Sequence, residues 1–307
     1  MRFYYDDLFL EHQAPGHPES PDRLRAIVST LRQESRLQRA RWERPLPATE
    51  ADVLLAHSHE HLESVRQLSS RGGGWIDADT YCGPRSYDAA LLAAGATIGA
   101  VAAALSDSEP TFALVRPPGH HATRDRAMGF CLFNNVAIAA RCGFRQGLAR
   151  IAVVDLDVHH GNGTQDIFYA DPKLLYCSLH QVPLYPGSGS ADERGSGSGL
   201  GATVNVPLPP GSKPEAWLGG LGRLVLPRLR QHQPRLILVS AGFDALAGDP
   251  LAQLQLTPET YGRAAALIGQ VGREVGAAPP VWVLEGGYGL GGMAEAVRLC
   301  ALELAAV

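Results

Sequence analysis

Short apolar runs alternate with helix-compatible stretches along most of the chain. Six runs are continuously apolar or rich in β-branched residues: 112–115, 151–156, 174–179, 203–206, 236–240 and 281–284. Runs of this kind are typical of strands that are buried on both faces of a parallel sheet. Helix-compatible composition is found in three further stretches: 134–141, 213–229 and 258–275. Alternating strands and helices predict an α/β layered fold.

We expect one domain that spans residues 1–307. A length of 307 residues suits two average domains, but α/β folds often reach it as one. The low-complexity segment 187–201 is flexible by composition and too short for an interdomain linker, so it predicts a loop. The uncharged stretch 89–106 is rich in alanine and glycine and predicts a buried helix rather than a membrane span.

Composition and charge exclude several classes of protein. Hydrophobic residues make up 45% and charged residues 19% of the chain, so a large core is available and general disorder is excluded. The net charge of −4 argues against a protein-wide electrostatic grip on nucleic acid or on an anionic membrane. The five scattered cysteines form no CxxC motif, and residues 1–10 lack the basic start of a signal peptide. We therefore expect a cytoplasmic protein.

Polar residues cluster directly after five of the apolar runs. These clusters are 116–121, 155–160, 178–180, 241–249 and 285–288. In an open parallel sheet, the carboxyl ends of the strands converge on the ligand crevice. Five strand ends should therefore deliver histidine, aspartate, serine and tyrosine side chains to one place.

The second of these clusters has the alternation of a metal-binding strand end. In an extended chain Asp155, Asp157 and His159 point to the same side. A carboxylate and an imidazole two residues apart suit a divalent metal, and Zn²⁺ accepts both. Asp244, after another strand, would be a third ligand and leave one position open, which is the catalytic pattern for zinc. Ordinary alternatives exist, since the aspartates could cap a helix or turn and the histidine could be a buried, hydrogen-bonded imidazole.

Two adjacent histidines, His120 and His121, follow a further strand end. One could bind metal while the other is structural. A general base paired with a general acid or electrostatic partner fits better, because a metal-bound water needs a proton acceptor. Asp155 could orient His120, and Asn162 could orient His121. A charged partner raises imidazole basicity more than a neutral amide does, so we expect the two histidines to titrate apart.

The glycine-rich segment 285–289 presents Tyr288 after the last strand. Glycines on both sides let the backbone turn tightly and expose the phenol. A tyrosine hydroxyl aimed at a carbonyl oxygen would stabilise an oxyanion together with the metal. Taken alone, the motif is better explained as a turn with an exposed aromatic side chain.

Six motifs together resemble the zinc-dependent histone deacetylase family: RPPGHHA, GFCLFNNVAIAA, VVDLDVHHGNGTQ, SLH, SAGFDALAGDP and LEGGYGL. The resemblance is closer to the class II branch and its bacterial relatives, within the arginase–deacetylase superfamily. Residues 17–24 also resemble the opening loop of that family. The resemblance implies a single three-layer α/β domain, with an eight-stranded, mainly parallel sheet and helices on both faces.

The resemblance also implies a role for each site residue. It implies Zn²⁺, or Fe²⁺ in the same site, on Asp157, His159 and Asp244. It makes the adjacent histidines the base and acid pair and Tyr288 the phenol that polarises the carbonyl. A structural K⁺ is implied by a further set of oxygen atoms: the side chains of Asp155 and Ser178 and the carbonyls of Asp157, His159 and Leu179.

A narrow substrate channel is a further implication. Gly129 and Phe130 would line one side, and Tyr185 stands where the family usually has an opposing phenylalanine. Asp79 falls where some members use a rim carboxylate to hold the substrate amide, and it could equally be a solvated loop charge. Asn162, in place of the aspartate of many members, is typical of class II.

These residues predict an amidohydrolase that uses metal-activated water to remove acetyl or other acyl groups from the ε-amine of lysine in proteins or peptides. An arginase-like ureohydrolase is disfavoured, because Gly242 stands two residues before Asp244, where a second metal would need a carboxylate. A non-catalytic acyl-lysine binding module would have no use for a base beside a metal.

The alternative is an acetylpolyamine deacetylase that acts on a small acetylated amine. Polyamine-acting relatives carry a carboxylate seven residues after the third ligand, where this chain has Leu251. The sequence does not predict an oligomeric state.

Overall fold

A computed structural model describes residues 1–306 of the protein. In chain order its strands are β1 (Arg2–Tyr4), β2 (Arg41–Glu43), β3 (Gly74–Trp75), β4 (Tyr81–Cys82), β5 (Thr111–Ala113), β6 (Ile151–Asp155), β7 (Leu174–Gln181), β8 (Thr203–Leu208), β9 (Leu236–Ala241) and β10 (Val281–Leu284). Eight of them form one sheet in the order β2-β1-β5-β10-β9-β6-β7-β8, and every neighbouring pair is parallel. β3 and β4 form a separate antiparallel hairpin.

The helices connect these strands and pack on the sheet. In chain order they are α1 (Pro21–Gln33), α2 (Glu50–Val53), α3 (His59–Ser70), α4 (Ser86–Asp107), α5 (Asn135–Arg145), α6 (Asn162–Phe168), α7 (Pro214–Gly220), α8 (Leu226–His232), α9 (Pro258–Glu274) and α10 (Leu290–Ala305). α10 packs against α1 and α9, whereas α4 packs against α5 and the strands β1, β5 and β10. The chain is therefore a single α/β domain with an eight-stranded parallel sheet, as predicted.

The core of the sheet explains why the strands could be recognised from the sequence. Five neighbouring strands, β5, β10, β9, β6 and β7, are buried at every residue. Helices cover a parallel sheet on both faces, so its inner strands have no polar side and appear as continuous apolar runs. All six predicted strands are present, with small shifts at their ends.

The edge of the sheet and one helix differ from the prediction. β1 and β2 have three residues each, and the edge strand β2 has no buried residue, so neither forms an apolar run. The helix predicted over 213–229 is divided into α7, a π-helical turn at Leu221–Val225 and α8. Pro227 in the first turn of α8 lacks an N–H, which favours such an interruption.

α4 is the helix predicted from the uncharged stretch 89–106. It is long and apolar enough to cross a membrane by length and composition alone, and 67% of its most apolar window is buried inside the protein. Gly95 explains one part of its close packing, because a Cβ there would lie 1.9 Å from the Leu46 carbonyl oxygen. Its alanine-rich surface is therefore used for packing in the core.

The loop 187–201 is more constrained than its composition predicts. Glu193 accepts hydrogen bonds from the backbone N–H groups of Gly189 and Ser190, both at 2.9 Å. Its other carboxylate oxygen accepts from Gln165 Nε2 at 2.5 Å. The glycines and serines predicted a flexible segment, but the Glu193 carboxylate fixes this loop to α6.

Candidate active site

Three buried side chains that follow β6 and β9 form a group that could hold a metal ion: Asp157, His159 and Asp244. Their ligand atoms all lie within 4.8 Å of one another. His159 Nδ1 lies 3.1 Å from Asp157 Oδ1 and 3.1 Å from Asp244 Oδ2. A backbone N–H holds the other oxygen of each carboxylate. Gly286 N donates to Asp157 Oδ2, and Val158 N donates to Asp244 Oδ1, both at 2.8 Å.

The electrostatics of this group favour a bound cation. Burial and the neighbouring charge of Asp157 raise the pKa of Asp244 to about 7. Burial alone would lower the pKa of His159, but its hydrogen bonds to the two carboxylates outweigh burial and raise that pKa to about 10. A divalent cation would replace the proton that these groups share, because metal ligands must be deprotonated. Two carboxylates and one imidazole are also a donor set that zinc accepts.

Two glycines leave the space that the carboxylates occupy. A Cβ at Gly242 would lie 2.1 Å from Asp157 Oδ2. A Cβ at Gly286 would lie 2.3 Å from Asp244 Oδ2 and 2.6 Å from Asp157 Oδ2. The absence of a side chain at these two positions is therefore part of the site.

The two adjacent histidines have the partners that the sequence suggested. His120 Nδ1 lies 3.1 Å from Asp155 Oδ2, and His121 Nδ1 lies 2.8 Å from Asn162 Oδ1. The two imidazole centroids are 4.0 Å apart. Asp155 at the end of β6 thus orients His120, and Asn162 at the start of α6 orients His121.

The pKa values of these histidines shift in opposite directions. Burial would lower the pKa of His120, but the charges of Asp157 and Asp155 outweigh it and raise the pKa to about 10. Burial and the neighbouring His120 lower the pKa of His121 well below its usual range. A proton therefore favours His120 over His121.

A cavity of about 210 Å³ opens beside these groups. Both adjacent histidines line it, together with His159 and Tyr288. Its walls also include Gly129, Phe130 and Tyr185, which were predicted to line a channel. Asp79, for which a rim position and a solvated loop were both open, and Leu251, at the position of the polyamine-binding carboxylate, line it as well. Through His159, the candidate metal group opens onto the cavity that the two histidines and the channel residues line.

Close contacts shape the wall of this cavity. Gly129 and Phe130 both have left-handed backbones, with φ of +55° and +69°. A Cβ at Gly129 would lie 2.4 Å from His121 Cδ2 and 3.0 Å from Tyr185 Cε1. The Phe130 ring makes an edge contact with Tyr288, at 5.9 Å between centroids. The left-handed backbone at Phe130 is unfavourable for a bulky residue, so the surrounding contacts must hold it.

Tyr288 is half-buried at the cavity, and its ring lies 5.0 Å from the guanidinium carbon of Arg23. Burial raises the pKa of Tyr288 well above its ordinary value, although the charge of Arg23 opposes that shift. The phenol therefore keeps its proton and can act as a hydrogen-bond donor at neutral pH.

Two of the predicted potassium ligands are neighbours. Asp155 and Ser178 are paired across β6 and β7, and Leu179 follows on β7. Asp155 Oδ1 accepts a hydrogen bond from Asp157 N at 3.2 Å, and Ser178 Oγ lies 2.8 Å from His180 Nδ1. The Asp155 carboxylate therefore contacts the backbone of Asp157, and Ser178 lies opposite Asp155 on the neighbouring strand.

Comparison with known proteins identifies the family of this site. The model of the histone deacetylase domain matches residues 17–304. The chain belongs to the histone deacetylase family. A histone deacetylase-like amidohydrolase of Pseudomonas aeruginosa is 39% identical over an alignment that covers 93% of this chain and 81% of the relative. A probable deacetylase of Methanothermobacter thermautotrophicus is 45% identical over 280 residues, which cover 90% and 82%.

A solved histone deacetylase domain supports the same assignment. The crystal structure of the HDA15 HD domain matches with a TM-score of 0.93 and 37% identity, over 99% of this chain and 87% of the other. Fold and family together make this chain a hydrolase of the deacetylase and amidohydrolase type.

Sequence reasoning missed the role of Glu285 in this deacetylase fold. Its fully buried carboxylate accepts from the backbone N–H groups of Gly119 at 2.6 Å and His120 at 3.2 Å. Ser240 Oγ donates to it at 3.2 Å. Burial raises the pKa of Glu285 to about 7. Glu285 thus connects β9 and β10 to the loop of the adjacent histidines, a backbone contact for which the sequence carries no pattern.

A buried ion-pair network behind Tyr288 was also missed. Glu19, 2% exposed, receives Arg116 Nη2 at 2.7 Å and Arg23 Nη1 at 2.9 Å. Arg23 Nε also donates to the Gly287 carbonyl at 2.6 Å. The resemblance of residues 17–24 to the family's opening loop was the available sign. The structure adds that this loop supports the tyrosine turn from behind.

Proposed function

We propose that this member of the histone deacetylase family is a zinc-dependent amidohydrolase that removes acetyl or other acyl groups from the ε-amine of acyl-lysine. The main support is the cavity that His120, His121 and Tyr288 line together with His159. His159 belongs to the buried group Asp157–His159–Asp244, which could hold a metal ion. The substrate would be a protein or peptide.

Asp157, His159 and Asp244 would hold the zinc ion. A tetrahedral ion with bonds of about 2.0 Å places its ligand atoms roughly 3.3 Å apart. The two 3.1 Å distances between His159 Nδ1 and the carboxylate oxygens agree with that spacing. Zinc bound there would supply a Lewis acid beside the scissile amide.

His121 is the better candidate for the general base. The lowered pKa of His121 favours its neutral form, and the ring lines the cavity, so it could accept a proton from the attacking water. His120, protonated beside Asp155, would supply positive charge and later a proton. A bound cation lowers the pKa of both rings, but the difference between a carboxylate partner and an amide partner remains.

Tyr288 would donate its phenol proton in a hydrogen bond to the substrate carbonyl. Negative charge develops on that oxygen during attack, and a donor fixed in a partly buried site stabilises it more than water does. The half-buried ring and the raised pKa of Tyr288 support this role.

The shape of the cavity supports a slender acyl-lysine chain. A volume of about 210 Å³ is below the range of pockets for bulky ligands. Phe130 and Tyr185 on its walls would pack against lysine methylenes, each worth about 0.8 kcal/mol when buried. Leu251 gives a free polyamine no carboxylate at the position where polyamine-acting relatives carry one, which favours acyl-lysine over the acetylpolyamine alternative.

The arginase-like alternative is disfavoured by packing as well as by sequence. A second metal would need a carboxylate at position 242, and even a Cβ there would meet Asp157 Oδ2 at 2.1 Å.

We also propose a K⁺ ion at Asp155, Ser178 and the nearby carbonyls, since oxygen ligands suit this ion. The five cysteines, all buried and free, support a reducing location such as the cytoplasm.

Metal removal and replacement test the proposed function. Chelation should abolish hydrolysis of an acetyl-lysine peptide, and stoichiometric Zn²⁺ should restore it. Asp244→Ala should lower both metal content and turnover. Metal analysis of the purified protein would distinguish Zn²⁺ from Fe²⁺. Full activity in chelated protein shown to be metal-free would reject the proposed metal chemistry.

A further inference from the structure

Tyr288 lies in a segment whose backbone has little intrinsic restraint. Glycines occupy positions 286, 287 and 289, and Gly287 has a φ of +120°. Glycine loses more conformational freedom on ordering than any other residue. A phenol that must reach one carbonyl oxygen therefore needs an anchor outside its own turn.

Asp249 supplies contacts at that point of the chain. Its Oδ2 accepts from Tyr288 N at 2.8 Å and from Gly289 N at 3.2 Å. Its Oδ1 accepts from Leu251 N at 3.0 Å. One carboxylate thus fixes the tyrosine turn and the segment after Asp244, which carries a channel residue.

Burying the Asp249 carboxylate costs free energy, and its hydrogen bonds to backbone N–H groups offset that cost. The residue is 7% exposed, and within residues 1–306 no basic side chain forms a salt bridge with it. Burial also raises its pKa. A buried carboxylate without a cation is unfavourable and persists where hydrogen bonds compensate it. An asparagine could not make both sets of bonds, because its amide oxygen would accept on one side while its N–H₂ would face a backbone N–H on the other.

We propose that Asp249 is a positioning residue for the deacetylation reaction, which holds the Tyr288 turn so that the phenol meets the substrate carbonyl. The inference rests on the proposed role of Tyr288. Asp249 itself acts through the backbone and touches neither the substrate carbonyl nor the metal group.

A double-mutant cycle with Asp249→Asn and Tyr288→Phe tests the inference. A misplacement of about 1 Å can cost on the order of 10²-fold in rate, so Asp249→Asn should lower kcat by roughly that factor, with KM changed far less. In the Tyr288→Phe background the same substitution should change kcat by less than about twofold, because residues that act as a unit are not additive. If the fold reduction in kcat of the double variant equals the product of the two single reductions, the inference is overturned.

Amide hydrogen exchange gives a readout that does not depend on activity. Asp249→Asn should speed exchange at Tyr288 and Gly289, whereas unchanged exchange there would contradict the anchor. Asp52→Asn is the matched control, since Asp52 accepts from Thr49 N at 3.1 Å far from the cavity. It should leave kcat and the exchange of the tyrosine turn unchanged.

The outcomes separate the two proposals. Equal kcat in wild type and Tyr288→Phe would reject the proposed role of the phenol, while exchange would still test the anchor. If Asp249→Asn does not fold, Asp249→Glu keeps the charge and moves the carboxylate by one methylene. It should show the same loss of kcat, with bound metal retained; full kcat in Asp249→Glu would overturn the inference.

Discussion

His121 Nδ1 lies 2.8 Å from the amide oxygen of Asn162. This partner has no charge, in contrast to the carboxylate of Asp155 that orients His120. The asymmetry favours protonation of His120 over protonation of His121. In the proposed function, His121 would accept a proton and His120 would supply positive charge.

Asn162→Asp should move the pH profile of kcat/KM. A carboxylate stabilises the imidazolium form of His121 and raises its pKa, so the base becomes protonated at a higher pH. The acidic limb of the profile should therefore shift to higher pH, with activity lost first on the acidic side. Gln270→Glu on the exposed face of α9 adds the same charge far away and should leave the profile unchanged. A shift to lower pH in Asn162→Asp would assign that limb to another group.

Gly286→Ala should remove metal binding. Its Cβ would meet Asp244 Oδ2 at 2.3 Å and Asp157 Oδ2 at 2.6 Å, and both carboxylates are held by backbone groups. Gly291→Ala, in the first turn of α10, is the matched control because its Cβ would meet nothing within 4 Å. The control should keep its metal and gain up to about 1 kcal/mol of stability. Metal analysis measures the bound metal, and thermal unfolding measures the stability of each variant. A Gly286→Ala protein that still binds metal would show that the added methyl group does not displace the two carboxylates.

Glu19→Gln should destabilise the fold. Removing one partner of a buried ion pair costs about 3–5 kcal/mol, because Arg116 and Arg23 would keep uncompensated charge. Burial would raise the pKa of Glu19, but the charge of Arg116 outweighs it and holds that pKa well below its usual range. The stabilisation is therefore present above the ordinary glutamate pKa of about 4.3 and lost as pH falls.

Urea unfolding at several pH values measures this contribution. The difference between wild type and Glu19→Gln should be largest near neutral pH and narrow in acid. Glu63→Gln on α3 removes an exposed partner of Arg66 and should have a much smaller effect. A difference that does not change with pH would mean that packing, and not charge, makes Glu19 important.

The predictable parts of the structure are those with a local pattern. The inner strands could be located because both of their faces are buried, and the candidate metal group because Asp157 and His159 stand two residues apart directly after β6. The extended alternation expected there is wrong, since β6 ends at Asp155 and residues 157–159 form a bend. β2 has no buried residue and left no such trace. Glu285 and Asp249 bind backbone N–H groups of segments 166 and 39 residues away. Any residue has an N–H, so these contacts leave no pattern of residue types.

Leu251→Glu tests the basis of substrate choice. A carboxylate on the cavity wall would pair with the free amines of an acetylpolyamine, so kcat/KM for acetylspermidine should rise relative to an acetyl-lysine peptide. Leu251→Gln has a similar size without the charge and should leave the ratio near that of wild type. An equal change of this kcat/KM ratio in both variants would show that shape, and not charge, controls substrate choice at position 251.

Asp79 places a carboxylate on the wall of this cavity in the wild-type chain. Its backbone oxygen lies 2.9 Å from His17 Nε2, which fixes its loop beside the Phe130 wall. Asp79→Ala should weaken binding of an acetyl-lysine peptide, seen as a higher KM, if the carboxylate holds the substrate amide. If the substitution instead abolishes turnover of acetylspermidine alone, Asp79 is the gate for a polyamine.

The most direct test of the account is the ratio of two specificity constants for the wild-type enzyme. kcat/KM should be measured side by side on an acetyl-lysine peptide and on acetylspermidine, with zinc content verified in the same preparation. We predict that the peptide is preferred by at least about tenfold, which corresponds to 1.4 kcal/mol of differential transition-state binding. A wild-type preference for acetylspermidine would contradict the assignment of acyl-lysine as the substrate.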